Sequence, residues 1–355
     1  MKLYTKAGWL DVPHVAEVAD HNNISFIIII GKRQIGKTYG VLKFMLDENK
    51  RFILLRSVMA EMDMLKHNVA SPFDAIKDYS GRVVFESETQ YTANIVRIDT
   101  QDGVEGEIKT SIGMLSALSA IGRVRGINGR QFTDVVYDEF IPESHLLKVK
   151  NGGDAFLNMY TTIAGNREIE GEKPLRVWLL ANSNNLDNDI LNALNITGVV
   201  EKMSLRSEES RILKDRGIMV ILPDSQLITE KRKKGALYKA VGGDSKFAKM
   251  AYENDFSYND FSDVNSKPLE EYNPIIMVYG ESNPTFTIYL HKTYKILYVV
   301  QKVDFNARHT YYETERDKMK FTRDFPEIKA AYLRGRFSFQ NMTVKNQFLN
   351  YLGLA

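Results

Sequence analysis

The stretch IIIIGKRQIGKTYG, Ile27 to Gly40, constrains this chain more than any other. Its four isoleucines form a β-branched run too short for an isolated helix and suited to a strand buried on both faces of a parallel sheet, which Gly31 ends. Beyond the loop, Val41, Leu42, Phe44 and Met45 recur at helical spacing. Gly31, Gly36, Lys37 and Thr38 therefore satisfy G-x-x-x-x-G-K-[ST] in the setting the pattern needs, between a strand and a helix. The glycines let backbone N–H groups turn toward phosphate oxygens, and the helix N-terminus adds its positive end. Lys37 is expected to bridge the β- and γ-phosphates of a nucleotide and Thr38 to ligate Mg²⁺, with Gln34, Ile35 and Tyr39 completing the loop's contacts.

Hydrolysis requires acids at the end of a neighbouring strand. TDVVYDEF supplies them: Asp138 to hold the hydrated Mg²⁺ and Glu139 to orient and deprotonate the attacking water. A glutamate beside the metal acid suggests a stand-alone hydrolase of the additional-strand type, with ATP as the nucleotide. Just upstream, GRVRGINGRQF offers Arg123, Arg125 and Arg130, and AGNREIEG offers Arg167, as guanidinium groups for the charge that develops on the transferred phosphoryl. LLANSNN ends another apolar strand in polar residues, so Asn182 and Ser183 are candidates to sense the γ-phosphate.

At 355 residues the chain exceeds what one hydrophobic core usually organises, and two domains are expected. RFILLR and RGIMVILPD read as further strands of the nucleotide unit, and RVVFES, TANIVRID and GEIKTSIGMLSAL as an antiparallel edge. Short charged helices follow Gln226. Three strands, PIIMVYG, TFTIYLHK and KILYVVQKV, come next, then a charged helix from about Tyr311 to Phe321. The boundaries so predicted are 1–225, a helical linker 226–266, and 267–355. Without cysteine there is no disulfide framework or thiolate metal site, which fits a reducing cytoplasm. No apolar run approaches the roughly 20 residues that span a bilayer. From Phe286 onward, 12 Lys or Arg stand against 6 Asp or Glu, a basic bias suited to phosphate backbones.

Taken together, GKRQIGKT, RGINGRQFTDVVYDEF and WLLANSN resemble, in order and spacing, the ATPases of viral DNA-packaging motors, above all the encapsidation ATPases of phi29-like phages, related to the large terminases. The resemblance implies a P-loop ASCE ATPase domain with a mainly parallel sheet, a small linker, and a C-terminal RNase H-like α/β domain. It implies that Lys37 and Thr38 take the Walker A roles and Asp138 and Glu139 the Walker B and catalytic roles. It favours Arg125 as a trans-acting arginine, gives Arg33 the basic Walker A position, and puts Asn182 in the segment that couples hydrolysis to movement. The implied partners are double-stranded DNA, the portal of an empty procapsid, a packaging RNA, and further copies of the chain in a pentameric ring. The implied location is the host cytoplasm, at the portal vertex, and not the mature virion. The resemblance breaks at VYGESNPT, where Val278 stands in place of a terminase nuclease's metal-binding aspartate. Neither Glu281 nor Asp304 matches that position. The expectation is a motor without nuclease activity. A terminase that also cuts, or a nucleotide-dependent scaffold that does not cycle, are the rival readings.

Overall fold

The computed structural model describes the chain except residues 69–70, 101–106, 123–127, 143–148, 183–187, 242–262, 281–285 and 355. Two compact units result, one of Met1–Asn185 with Met203–Ser257, the other of Leu186–Lys202 with Tyr258–Ala355.

The first unit is a nine-stranded sheet carrying helices. Its strands are β1 (Phe26–Gly31), β2 (Phe52–Arg56), β3 (Val83–Ser87), β4 (Thr92–Thr100), β5 (Glu107–Ala117), β6 (Asp134–Asp138), β7 (Arg176–Asn182), β8 (Ser210–Leu213) and β9 (Ile218–Ile221). They lie in the order β3-β4-β5-β2-β6-β7-β1-β9-β8. The run from β5 to β9 is parallel throughout, whereas β3, β4 and β8 are antiparallel to their neighbours. Burial explains the pattern: Ile27 to Ile30 of the central β1 are fully enclosed, which requires cover on both faces. The helices are α1 (Val12–His21), α2 (Lys37–Asp47), α3 (Met59–Lys66), α4 (Leu118–Ile121) and α5 (Gly152–Ala164). Asp11 caps α1, its side chain accepting from the His14 amide at 3.3 Å, and Phe44 of α2 packs on Trp178 of β7 with ring centroids 5.9 Å apart.

Helices α6 (Asp189–Ala193) and α7 (Thr197–Leu205) follow, the unit boundary falling within α7, and α8 (Gln226–Lys233) and α9 (Ala236–Val241) belong to the first unit. Both assignments differ from the expected boundaries at 225 and 266. The reason for the first is polar: Asn192 Oδ1 accepts from Thr197 and Thr343 at 2.7 and 2.8 Å, and the buried Glu201 carboxylate accepts from the Met342 amide at 2.6 Å. Leu186–Lys202 is thereby fastened to the C-terminal unit.

The second unit holds a five-stranded sheet, β10 (Tyr272–Tyr279), β11 (Phe286–His291), β12 (Leu297–Val300), β13 (His309–Tyr312) and β14 (Phe337–Phe339), ordered β13-β10-β11-β12-β14. Besides α6, its helices among the described residues are α10 (Glu315–Asp324), α11 (Glu327–Leu333) and α12 (Met342–Leu352). Tyr311 is thus in a strand, and the charged helix begins only at Glu315, where Thr314 caps it by accepting from the Asp317 amide. Val344, Phe348 and Leu352 line one face of α12 and join a core with Ile276, Val278, Phe286 and Ile288. Among the described residues no helix is long and apolar enough to cross a membrane.

Candidate nucleotide site

Three strand ends that are far apart in sequence make the site. β7 lies between β1 and β6, its register pairing Asn182 with Gly31 and Leu180 with Asp138. Because the strands are parallel, Gly31, Asn182 and Asp138 emerge at the same edge, where ligands of open α/β sheets bind. The resulting cleft is lined by Gln34, Gly36 to Tyr39, Asp138, Glu139, Ala181 and Asn182. The additional strand between the phosphate loop and the acids is therefore present.

The loop turns through Gln34 at φ +57° and Gly36 at φ +89°, the latter immediately before α2. Gly36 is the residue whose backbone needs this freedom. Lys37 is almost wholly buried, its Nζ donating to the carbonyls of Gly31 at 2.9 Å and Lys32 at 2.7 Å and to Asn182 Oδ1 at 3.2 Å. Burial pulls its pKa down to about 7; the Asp138 carboxylate opposes the shift, and the nearby Arg232 and Arg33 guanidiniums reinforce it. An ammonium in this state gains from an arriving polyphosphate. Ile35 contributes only backbone, since its side chain is in the core.

Thr38 Oγ1 donates to Asp138 Oδ1 at 2.8 Å, so a hydroxyl and a carboxylate already share one corner of the cleft. Two hard oxygen ligands of this kind fit Mg²⁺, which keeps several waters and takes its remaining ligands from phosphates. Glu139 follows at φ +57°, a left-handed conformation uncommon for a residue with a side chain, and its carboxylate is about half exposed (53%) at the mouth of the cleft. Arg56, the last residue of β2, reaches both acids: its Nη1 lies 3.3 Å from Asp138 Oδ2 and 3.3 Å from Glu139 Oε2.

Not every candidate arginine reaches the cleft. Arg167 is buried and donates to the backbone carbonyls of Ala164, Phe132, Gly129 and Ile163 at 3.2, 3.1, 2.9 and 3.5 Å. A guanidinium committed to four carbonyls in the interior is a clamp on the 129–132 turn, and this corrects the expectation that it acts on the phosphoryl group. Arg130 is on the surface, ion-paired with Glu170 and with Glu172 at 3.7 Å. Arg123, Arg125, Ser183 and Glu281 lie outside the described residues.

The profile of the podovirus DNA encapsidation protein (Gp16) matches residues 15–351. The chain belongs to that family. Among solved structures, the encapsidation protein is similar to the Phi-28 gp11 DNA packaging motor, with a TM-score of 0.55 and 16% identity over 96% of this chain and 97% of that one. It also matches the N-terminal domain of the bacteriophage phi29 DNA packaging ATPase (TM-score 0.42, 20% identity, 59% and 95% coverage) and the HK97 bacteriophage large terminase (0.37, 12%, 94% and 71%). No curated protein matches it in sequence. The gp11 likeness extends the shared fold over nearly the whole encapsidation protein.

Two residues beside this encapsidation protein's cleft carry no clear mark in the sequence. Arg56 is signalled only by a basic residue ending an apolar strand, which is common elsewhere. Trp9 sits beside the loop: a Cβ added at Gly36 would lie 3.5 Å from Trp9 Cε3, and Leu10 N–H donates to Ile35 C=O at 3.4 Å. With 47% of its surface exposed, against 44% for Tyr39, the indole is open to a planar ligand.

Proposed function

We propose that this DNA encapsidation protein hydrolyses ATP in the β1-β7-β6 cleft and uses the energy to move double-stranded DNA through a portal into a procapsid. The observation that carries the reading is the convergence of Lys37, Thr38, Asp138, Glu139 and Asn182 at one sheet edge, with Thr38 and Asp138 already 2.8 Å apart.

The loop amides and Lys37 bind the phosphates, and Trp9 with Tyr39 offers aromatic faces to the base. Thr38 and Asp138 would hold Mg²⁺, which supplies charge neutralisation to the phosphate oxygens when bound with ATP. Glu139 takes the proton of the attacking water, and Arg56 fixes that carboxylate in place until the nucleotide is seated. Asn182, now bonded to Lys37, loses that partner when Lys37 turns to phosphate; this makes it the residue of β7 that feels nucleotide arrival. Arg125 completes the site of a neighbouring copy in a ring, for which a pentamer is the expected size. The portal, and a packaging RNA, are the expected docking partners, and the host cytoplasm the place of action.

The C-terminal unit is a nuclease-like domain that does not cut. Val278 is buried between Phe286 of β11 and Tyr311 of β13, where a valine side chain cannot coordinate a metal ion. Asp304 is no substitute: it accepts from Tyr289 Oη at 2.8 Å, and Tyr289 follows Ile288 on the opposite face of the sheet from the Val278 core. The test is packaging in vitro with purified procapsids. Wild type should protect DNA from added nuclease, whereas Lys37→Ala and Glu139→Gln should not. Protection by either variant would refute the mechanism.

A further inference from the structure

Residues 226–233 open the stretch expected to be a linker, yet segment 223–233 is tied to the opening residues of the phosphate loop within the first unit. Pro223 abuts Gly31 so closely that a Cβ there would come within 2.9 Å of its ring. Lys32, buried to 4% exposure, donates from Nζ to Thr229 Oγ1 at 2.9 Å and forms an ion pair with Asp224. Arg232 Nη1 donates to the carbonyl of Arg33 at 2.6 Å. Three successive loop residues therefore meet the stretch from Pro223, just before α8, to Arg232 near its end. Only Ile228 and Thr229 of its eight residues are buried, and outside the loop Leu227 lies against Gly8 and Lys231 Nζ donates to the carbonyl of Ala7 at 3.3 Å. Polar contacts with the loop thus form a large part of what positions the helix.

We propose that α8 is a positioning element for the phosphate loop and that Arg232 is the residue joining their movements. The inference rests on the ATP-binding reading above. Adjacent carbonyls carry it. Lys37 holds the carbonyls of Gly31 and Lys32, and Arg232 holds the next one, at Arg33. When Lys37 leaves for phosphate, the first two carbonyls lose their charged donor and the loop backbone must adjust. Arg232 keeps the third carbonyl in place and carries the adjustment to α8. Arg232 thus positions the loop without entering the cleft, whose lining does not include it.

The test uses the full-length protein with ATP and a non-hydrolysable ATP analogue as probes. Arg232→Ala should raise KM for ATP roughly tenfold, as expected for loss of one charged hydrogen bond, while kcat stays within about twofold. Arg232→Lys, which can still donate to the carbonyl, should recover most of the affinity. In hydrogen exchange, saturating analogue should alter the α8 amides of the wild type and leave those of Arg232→Ala unchanged. The proposal is overturned if Arg232→Ala keeps wild-type KM, if wild-type α8 amides do not respond to bound analogue, or if both variants lose kcat and thermal stability together. A wild type that binds no ATP at all would sink the nucleotide-site reading and this inference with it.

Discussion

The state of Lys37 makes a quantitative claim about ATP binding. Burial leaves its pKa at about 7, where an exposed lysine titrates near 10.5. A bound triphosphate places several negative charges against the Nζ and raises that pKa again. Binding therefore takes up a proton, and the sign follows: affinity is full below pH 7 and falls as the pH rises through that value. If only the charged lysine binds, the apparent Kd is multiplied by one plus the ratio of neutral to charged forms. That factor is about 1.1 at pH 6, about 2 at pH 7 and about 11 at pH 8. Titration calorimetry with a Mg²⁺-saturated, non-hydrolysable ATP analogue measures both quantities. Run in buffers of different ionisation enthalpy, it should show uptake of roughly half a proton at pH 7 and nearly a whole one at pH 8. Lys37→Arg is the control, since a guanidinium does not titrate in this range and should abolish the dependence whatever it does to the absolute affinity. A wild-type Kd constant within about twofold from pH 6 to 8, with no buffer-dependent heat, would refute the argument.

Two further outcomes follow from the geometry. Arg56→Ala removes the cation that touches both acids, so kcat should drop by about tenfold or more with KM for ATP nearly unchanged, and Arg56→Lys should restore part of it; equal losses in KM would place Arg56 in substrate binding instead. Glu201 is buried with its pKa raised to about 7, chiefly by burial, so the folded protein keeps a proton that the unfolded chain releases near pH 4.5. Stability from this group is full below about pH 4.5 and is lost as pH rises through 7. Glu201→Gln, which still accepts from Met342, should therefore stabilise the protein at pH 8 by up to about 3 kcal/mol and leave it little changed at pH 4.5, as read by calorimetric unfolding.

The parts of the site legible in the sequence are those where local chemistry and backbone position coincide. Gly31 to Thr38 must be a phosphate loop because glycine spacing, a buried β-branched strand and an amphipathic helix all agree, and VVYDEF must end its strand at the acids because an apolar run cannot continue through Asp138 and Glu139. The order in which strands lie is a long-range property, and it still followed here, because a glutamate beside the metal acid occurs where another strand separates loop and acids. What stayed hidden depends on which side chains meet across the fold. Arg56 and Trp9 are single residues whose role comes only from neighbours far along the chain. Arg167 belongs with them, since an arginine in a loop after a helix has no local mark of burial and its four carbonyl partners come from the fold. Helix α1 carries an Asp11 cap and a proline in its first turn, yet its apolar positions, Val12, Val15, Ala16 and Ala19, are small and mark the period weakly.

The division into units shows the same limit from the other direction. Composition changes at Gln226, and a boundary there is the natural inference from a charged, helix-forming stretch. The fold does not respect it, because Lys32 and the Arg33 carbonyl supply buried partners for exactly the kind of polar helix that would otherwise be left to solvent. Leu186–Lys202, by contrast, carries no compositional mark, and joins the C-terminal unit through Asn192, which accepts from Thr343, and the buried Glu201, which accepts from the Met342 amide. Charge on a helix face thus says that it needs water or partners; only the tertiary structure says which. In this protein the distinction has mechanical weight, since a helix held by polar ties to the phosphate loop can follow that loop, whereas one held by a deep apolar core would resist it.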